Sequence, residues 1–173
     1  MFGTILISAC TLMHLYIFWR MASVPFVKRH VPRKILIGAG VILWAIFFFG
    51  LIGHGRTGVL AGTLEFLGMN WMGFLFLTFI PLFAIDLVTL FGFLMPRMSS
   101  RLRCWALLVG AGLSMIALFQ GLRPPVVEKY EVSLSGLPAA MDGVVIVALS
   151  DMHLGSQLGE RWLAARIAQI KAQ

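Results

Sequence analysis

The sequence predicts an α-helical membrane protein with four transmembrane helices, followed by the first β-strands and helix of an incomplete α/β domain. Hydrophobic residues make up 60% of the 173 residues, and charged residues make up only 12%, about half the usual charged fraction of globular chains. The long apolar stretches stop near Arg123, where β-branched and polar sequence takes over. A chain of this composition cannot cover its surface with polar groups, which excludes a soluble enzyme, a disordered tail and a collagen-like fibre.

Four apolar segments are long enough to cross the hydrocarbon core, which requires roughly 17 to 25 residues. We place the four spans at residues 2–19, 35–52, 71–94 and 104–122. The first segment lacks both a preceding basic region and a small-residue cleavage site. It should therefore remain as a helix rather than be removed as a signal peptide.

The basic residues lie mainly in two of the three loops between these spans, while the loop between spans two and three holds only Arg56. Lys and Arg are retained on the cytoplasmic side. We therefore expect a multi-pass inner-membrane protein whose N-terminus and C-terminal domain face the extracytoplasmic side. The net charge of +7 follows from these loops, so no nucleic-acid binding is expected. The two basic sets are Arg20, Lys28, Arg29, Arg33 and Lys34, and Arg97, Arg101 and Arg103.

Two ionisable residues lie within the predicted spans, Asp86 in the third and His14 in the first. An intramembrane carboxylate is a functional hypothesis by default. The alternative is a packing residue that faces a neighbouring helix near Ser114 or Gln120, and the scarcity of other charges in the spans favours packing. For His14 we favour an interhelical contact over a ligand role. Two further polar residues, His54 and Glu65, are assigned to the outer loop.

A short internal similarity relates the two basic loops and the spans that follow them. Pro32-Arg33 and Pro96-Arg97 are each followed by a Gly-Ala-Gly triplet, at residues 38–40 and 110–112. Small residues let helix backbones approach closely in lipid. We favour this packing role over a parallel-repeat transporter.

The region after the fourth span has the pattern of a different domain. Pro124-Pro125 ends the helix, residues 126–132 suit an edge strand, and residues 134–143 form a turn. The apolar run at residues 144–149 predicts a strand buried on both faces. A short amphipathic helix follows, with Ser156 as its candidate cap.

Asp151 and His153 stand where this buried strand meets the helix. Ligands collect beyond the carboxyl ends of strands in open α/β sheets, and residues two apart on an extended chain point to the same side. The carboxylate and imidazole can thus meet at one point, as a mixed donor set suited to Mn, Fe or Zn. Gly155 would permit the sharp departure into the helix. The simpler alternative is an aspartate that caps the turn beside a surface histidine.

The stretch at residues 134–155 resembles the opening of the calcineurin-like metallophosphoesterases, in particular the membrane-anchored subgroup with several helices before the catalytic domain. In that family the first motif is Asp-x-His after a buried strand, which corresponds to Asp151 and His153. The resemblance implies a hydrolase of phosphate esters that uses two divalent metal ions. It also implies a division into a transmembrane region, residues 1–123, and the start of a metallophosphoesterase domain, residues 124–173.

The later motifs of that family, Gly-Asp, Gly-Asn-His and Gly-His-x-His, do not occur in this sequence. Two donors cannot hold two ions that each need at least four. We therefore expect the chain to be the N-terminal part of a longer, truncated phosphohydrolase and to be inactive by itself. The alternative is a small four-helix transporter subunit or scaffold, with Asp86, His14 and the Gly-Ala-Gly triplets as its site.

Overall fold

The computed structural model describes residues 2–150, 155 and 158–171. The chain divides into two compact units, Met1–Gly121 and Leu122–Gln173. The first unit, called the membrane unit, contains the long helices. The second unit is called the tail.

Four helices of the membrane unit are long and apolar enough to cross a membrane. This agrees with the predicted number of four spans and supports a membrane protein. A short helix, α2, lies between the first two spans and was not predicted. The five helices are α1 (Phe2–Met21), α2 (Pro25–His30), α3 (Arg33–Ile52), α4 (Val59–Val88) and α5 (Pro96–Gly121).

Helix α4 is the central element of the membrane unit, because α1, α3 and α5 all pack against it. The buried apolar side chains include Ile17 from α1, Phe47 from α3, and Leu75 and Leu82 from α4. Most other large apolar side chains of these helices are exposed, as expected of surfaces that face lipid tails. The buried core is therefore a narrow seam along α4.

Helix α4 begins at Val59, twelve residues before the predicted start of the third span. The polar residues Thr63, Glu65 and Asn70 lowered the apolar signal there, yet a helix satisfies its own backbone hydrogen bonds whatever its side chains are. Thirty residues make a helix about 45 Å long, longer than the roughly 30 Å hydrocarbon core. Because Glu65 lies within α4, its assignment to a loop was wrong.

The other end of α4 is also displaced, because the helix stops at Val88 rather than at residue 94. Leu90, Phe91 and Gly92 follow with φ of 46°, 55° and 100°, a left-handed conformation that non-glycine residues adopt only at a cost. Helix α5 then starts at Pro96, whose fixed φ suits a first helical position. Arg97, Arg101 and Arg103 consequently belong to a helix and not to a loop.

The tail contains no β-strand among its described residues, so the predicted strands at residues 126–132 and 144–149 are not found. Ile146 is 85% exposed, where burial on both faces was predicted. The physical reason is that a strand exists only when a second strand accepts and donates its backbone hydrogen bonds. β-Branched sequence alone does not supply that partner.

The predicted helix of the tail is present as α6 (Glu160–Lys171). Its candidate cap Ser156 and the predicted ligands Asp151 and His153 lie outside the described residues. The preceding turn is described in part, with a hydrogen bond from the Gly155 amide to the Leu158 carbonyl oxygen at 3.2 Å.

Candidate functional site

The described residues around the predicted metal ligands are open to solvent. Ser150 before the motif and Gly155 after it are both exposed. In the described part of the chain, no three His, Cys, Asp or Glu side chains lie close enough together to hold a metal ion. The placement of Asp151 and His153 at one point stays a prediction from the sequence.

The most distinctive polar arrangement of the described residues surrounds Asp86 in α4, which is fully buried. Arg103 donates a hydrogen bond from Nε to Asp86 Oδ1 at 2.9 Å, and its Nη2 lies 2.9 Å from the same oxygen. On the other oxygen, Tyr16 donates its hydroxyl proton to Oδ2 at 2.5 Å. Arg20 Nε also lies 2.5 Å from Oδ2. Both carboxylate oxygens therefore have close partners from other helices.

Arg103 also fixes the turn that follows α4. Its Nη2 donates to the Phe91 carbonyl oxygen at 3.0 Å, and its Nη1 donates to Ser23 Oγ at 3.4 Å. Phe91, which has the left-handed conformation, is thus the residue whose carbonyl oxygen accepts a hydrogen bond from the Arg103 guanidinium. One side chain thus joins α4, the turn after it, and the segment between α1 and α2.

Arg20 lies at the last turn of α1 with its guanidinium carbon 3.9 Å from the centre of the Trp19 ring. Its contact with Asp86 has the distance of an ion pair but not the alignment of a hydrogen bond, since neither Nε nor Nη2 has a hydrogen-bond partner among the described residues. The attraction to the carboxylate and to the aromatic face holds the group in place.

This cluster, called the Asp86 cluster, consists of the Asp86 carboxylate, the guanidinium groups of Arg20 and Arg103, and the Tyr16 hydroxyl. Its members come from α1, α4 and α5, which it ties together at the end of the bundle where the basic residues lie. Because both oxygens of Asp86 are already occupied, the arrangement suits a structural ion-pair centre better than a proton relay. The expected neighbours of Asp86 were wrong, and Ser114 instead donates to the Gly110 carbonyl oxygen at 2.8 Å.

Sequence reasoning missed Arg20 and Arg103 as partners, because both were attributed to loop charge. A signal did exist in the sequence. Arg20 directly follows the predicted first span, and Arg103 directly precedes the fourth. A carboxylate inside a membrane span requires a partner, and these two arginines are among the basic residues immediately adjacent to the spans.

His14 occupies the interior of the membrane unit and makes an interhelical contact, in agreement with the favoured interpretation. Trp71 donates from Nε1 to His14 Nδ1 at 3.2 Å, and the ring of Phe18 stacks on the imidazole at 4.6 Å. The side chain is therefore packed between α1 and α4 and has an aromatic neighbour on one face.

At the opposite end of the bundle, His54 Nδ1 lies 2.8 Å from Glu65 Oε1. Glu65 is buried, whereas the His54 side chain is largely exposed. This pair links the turn after α3 to the second turn of α4. It accounts for a carboxylate inside the early part of α4, which the sequence interpretation assigned to a loop.

The two Gly-Ala-Gly triplets do not play equivalent roles. In α3 the last glycine, Gly40, faces the Phe18 ring, while a Cβ added to Gly38 would meet no atom within 4 Å. In α5 the first glycine makes the contact, since a Cβ on Gly110 would lie 2.7 Å from Thr78 Cα, whereas one on Gly112 would meet nothing. Close packing at one glycine of each triplet agrees with the favoured packing role, and the unequal positions argue against a structural repeat.

A local interaction in the described tail has a titration consequence. Tyr130 donates its hydroxyl proton to the Glu128 carboxylate. This hydrogen bond raises the pKa of the exposed Tyr130 hydroxyl. The pair is confined to neighbouring residues and does not build a site.

Comparison with known proteins gives two partial similarities. The chain is 41% identical over 54 residues to a bovine (Bos taurus) protein named transmembrane protein with metallophosphoesterase domain. The matched residues make up 31% of this chain and 12% of that protein. The chain is also 32% identical over 65 residues to a zebrafish (Danio rerio) protein of the same name. Here the matched residues make up 38% of this chain and 15% of that protein.

These similarities support a relation to membrane proteins that carry a metallophosphoesterase domain, over a limited part of each sequence. The matched region spans less than a sixth of the length of either relative. No family model matches the chain, and no solved structure matches it significantly.

Proposed function

We propose that this chain is the N-terminal, membrane-anchoring part of a membrane-bound, metal-dependent phosphohydrolase. The observation that carries the proposal is the combination, in one chain, of four membrane helices with an Asp-x-His motif after an apolar run. The two relatives are named for the same combination of a transmembrane region and a metallophosphoesterase domain.

Within this proposal Asp151 and His153 are the first two metal ligands. The donor types fit, because one carboxylate oxygen and one imidazole nitrogen suit Mn, Fe or Zn. Their number does not fill the shell of even one ion, so further ligands must come from other residues. When bound, the metal ions would supply an activated water molecule and charge stabilisation for attack on a phosphate ester. The contribution of Asp151 and His153 would be to bind a metal ion and to orient it.

The decisive test uses the coding DNA downstream of the Gln173 codon, read in all frames. The proposal expects Gly-Asp, then Gly-Asn-His, then Gly-His-x-His. Their absence would contradict it and would favour a function located in the membrane unit.

A second test addresses Asp151 directly, in a version of the protein that includes those downstream motifs. Asp151→Ala should remove a metal ion from the purified protein, as measured by inductively coupled plasma mass spectrometry. Asp142→Ala is the matched control, since Asp142 is an exposed aspartate nine residues earlier and should leave the metal content unchanged. Unchanged metal in the Asp151 variant would refute the assignment.

The 173-residue chain itself is expected to have no metal-dependent phosphatase activity, because two ligands do not hold the metal pair. Turnover of chromogenic phosphate mono- and diesters by the purified chain in detergent, with Mn²⁺ present, checks this expectation. Activity that depends on Asp151 would overturn it.

We further propose that the tail faces the extracytoplasmic side, on the strength of the basic loops. Ser135→Cys, placed in an exposed position, should react with a membrane-impermeant maleimide on intact cells. The parent chain serves as the control because its own Cys10 is buried and Cys104 is half-buried. Labelling only after cell disruption would reverse the orientation.

The second candidate function, a small transporter subunit or scaffold, is favoured by one observation, the charged cluster inside the membrane unit. The ion pairs on both Asp86 oxygens count against it. If this candidate were right, Asp86→Asn would abolish transport by a folded protein, whereas the main proposal expects only a loss of stability.

A further inference from the structure

A cleft opens between α1 and α3, which contact each other less extensively than either contacts α4. Its volume is about 460 Å³, and its walls are mainly apolar. Leu15 and Trp19 form one wall, and Ile37 and Val41 form the other. The exposed fractions of these four side chains are between 56% and 62%, so no other described part of the chain covers them.

The cleft has two chemically different ends. At one end Trp44 Nε1 donates a hydrogen bond to Thr11 Oγ1 at 3.0 Å, which joins the two helices. At the other end the lining residues are Ala22 and Arg33. Between Thr11 and Ala22, α1 rises about 16 Å. This length is close to half of the roughly 30 Å hydrocarbon core, the thickness that one monolayer provides.

The end of the cleft at Ala22 and Arg33, called its mouth, is strongly cationic. Eight of the nine Lys and Arg residues of the membrane unit lie at this end of the bundle, and the unit's acidic residue at this end, Asp86, is buried and paired. The first turn of α3 contains no acidic residue, and no side chain caps it, so its helix dipole adds to the positive potential. These basic residues are Lys28, Arg29, Arg33, Lys34, Arg97 and Arg101, together with Arg20 and Arg103, which are buried against Asp86.

We propose that this cleft binds one anionic phospholipid, with an acyl chain between α1 and α3 and the phosphate group at Arg33. The apolar cleft is about as long as one monolayer is thick, so it fits a single acyl chain. The surplus of positive charge at its mouth, with no free acidic group among the described residues there, matches an anionic head group rather than a zwitterionic one. A pocket of this volume, apolar with a few polar groups at one end, is typical of sites for small ligands.

The test is native mass spectrometry of the full chain, released from detergent after incubation with phosphatidylglycerol or phosphatidylcholine of identical acyl chains. The proposal expects a species with one bound lipid and a clear preference for phosphatidylglycerol. Arg33→Gln should reduce that preference about fivefold, the effect of one basic residue near an anionic surface. Arg97→Gln is the matched control, since it removes the same charge from an exposed position at the same end but outside the cleft.

A second pair of variants tests the acyl-chain part of the site. Ile37→Trp places a bulky ring in the cleft and should reduce retention of the lipid. Ile35→Trp adds the same bulk to the same helix at a side chain of similar exposure, 60% against 56%, that does not line the cleft, and should retain the lipid. Gel filtration of each variant establishes that it is folded.

Several outcomes would overturn the proposal. These are equal retention of the two lipids, an Arg97→Gln effect as large as that of Arg33→Gln, or undiminished lipid binding by Ile37→Trp. A lipid-independent dimer that Ile37→Trp dissociates would mean that a second copy of the chain occupies the cleft instead.

Discussion

In the membrane unit, apolar sequence forms helices that make most of their backbone hydrogen bonds internally, whereas the comparable apolar run at residues 144–149 of the tail lies outside any helix or strand. Leu75 of α4 is fully buried and Ile146 of the tail is 85% exposed. Hydrophobicity is similar at the two positions, and the difference lies in the source of the hydrogen-bond partners. A helix finds them four residues away, and a strand must find them on another segment.

The most direct way to test this difference is amide hydrogen exchange in detergent micelles. Amides of residues 71–88 should exchange at least roughly a thousandfold more slowly than those of residues 144–150, because helix opening costs several kcal/mol and the tail has no ladder to open. Mass spectrometry of peptides from the two regions measures the ratio. Equal protection of both segments would show that the tail is paired in solution.

The next largest effect is expected at the Asp86 cluster. Asp86→Asn leaves Arg20 and Arg103 buried without a counter-charge, which should lower the free energy of unfolding by about 3–5 kcal/mol. Thermal unfolding followed by circular dichroism in detergent checks this value. Asp142→Asn, the same change at an exposed position of the tail, should have no measurable effect, and similar losses in both variants would remove the distinction between the units.

A smaller effect is expected where α4 and α5 touch. Gly110→Ala places a Cβ 2.7 Å from Thr78 Cα, so the helices must separate, at a cost of about 1–3 kcal/mol. Gly112→Ala, two residues along the same helix, meets nothing within 4 Å and should leave stability unchanged or slightly higher. Unfolding curves of the two variants in one detergent make the comparison, and reversal of their order would contradict the close contact at Gly110.

The smallest effect is expected in the tail. Ile146→Ala removes a side chain that is already exposed, so the free energy of unfolding of the membrane unit should change by less than about 0.5 kcal/mol. Leu75→Ala provides the contrast, since it opens a cavity beside α4 and should destabilise clearly. A marked loss in the Ile146 variant would reveal packing of the apolar run that the described structure lacks.

The sequence predicted the number of membrane helices correctly because hydropathy and helical hydrogen bonding are both local properties. It misplaced the start of α4 by twelve residues, since a carboxylate at Glu65 weakens the hydropathy signal, and its partner His54, 2.8 Å away, belongs to another segment. It also assigned Arg20 and Arg103 to loop charge. Whether a basic residue near a span faces solvent or a neighbouring helix depends on contacts that no local pattern encodes.

For the predicted metal site the sequence provides the residue types and their spacing, while the relatives provide the association with a metallophosphoesterase domain. Asp151 and His153 lie outside the described residues, so their convergence stays a prediction. The strands predicted at residues 126–132 and 144–149 are not found among the described residues, because strand formation depends on partners elsewhere in a fold.

By itself, the sequence determined that this protein lies in a membrane, that it has four spans, and that an Asp-x-His motif follows them. Each of these follows from composition or from residues close together along the chain. Only the tertiary structure decided that Asp86 joins Arg20, Arg103 and Tyr16 in one buried cluster, and that a cleft with a cationic mouth separates α1 from α3. Both features bring together residues from different helices, and their energies arise only once those helices have packed.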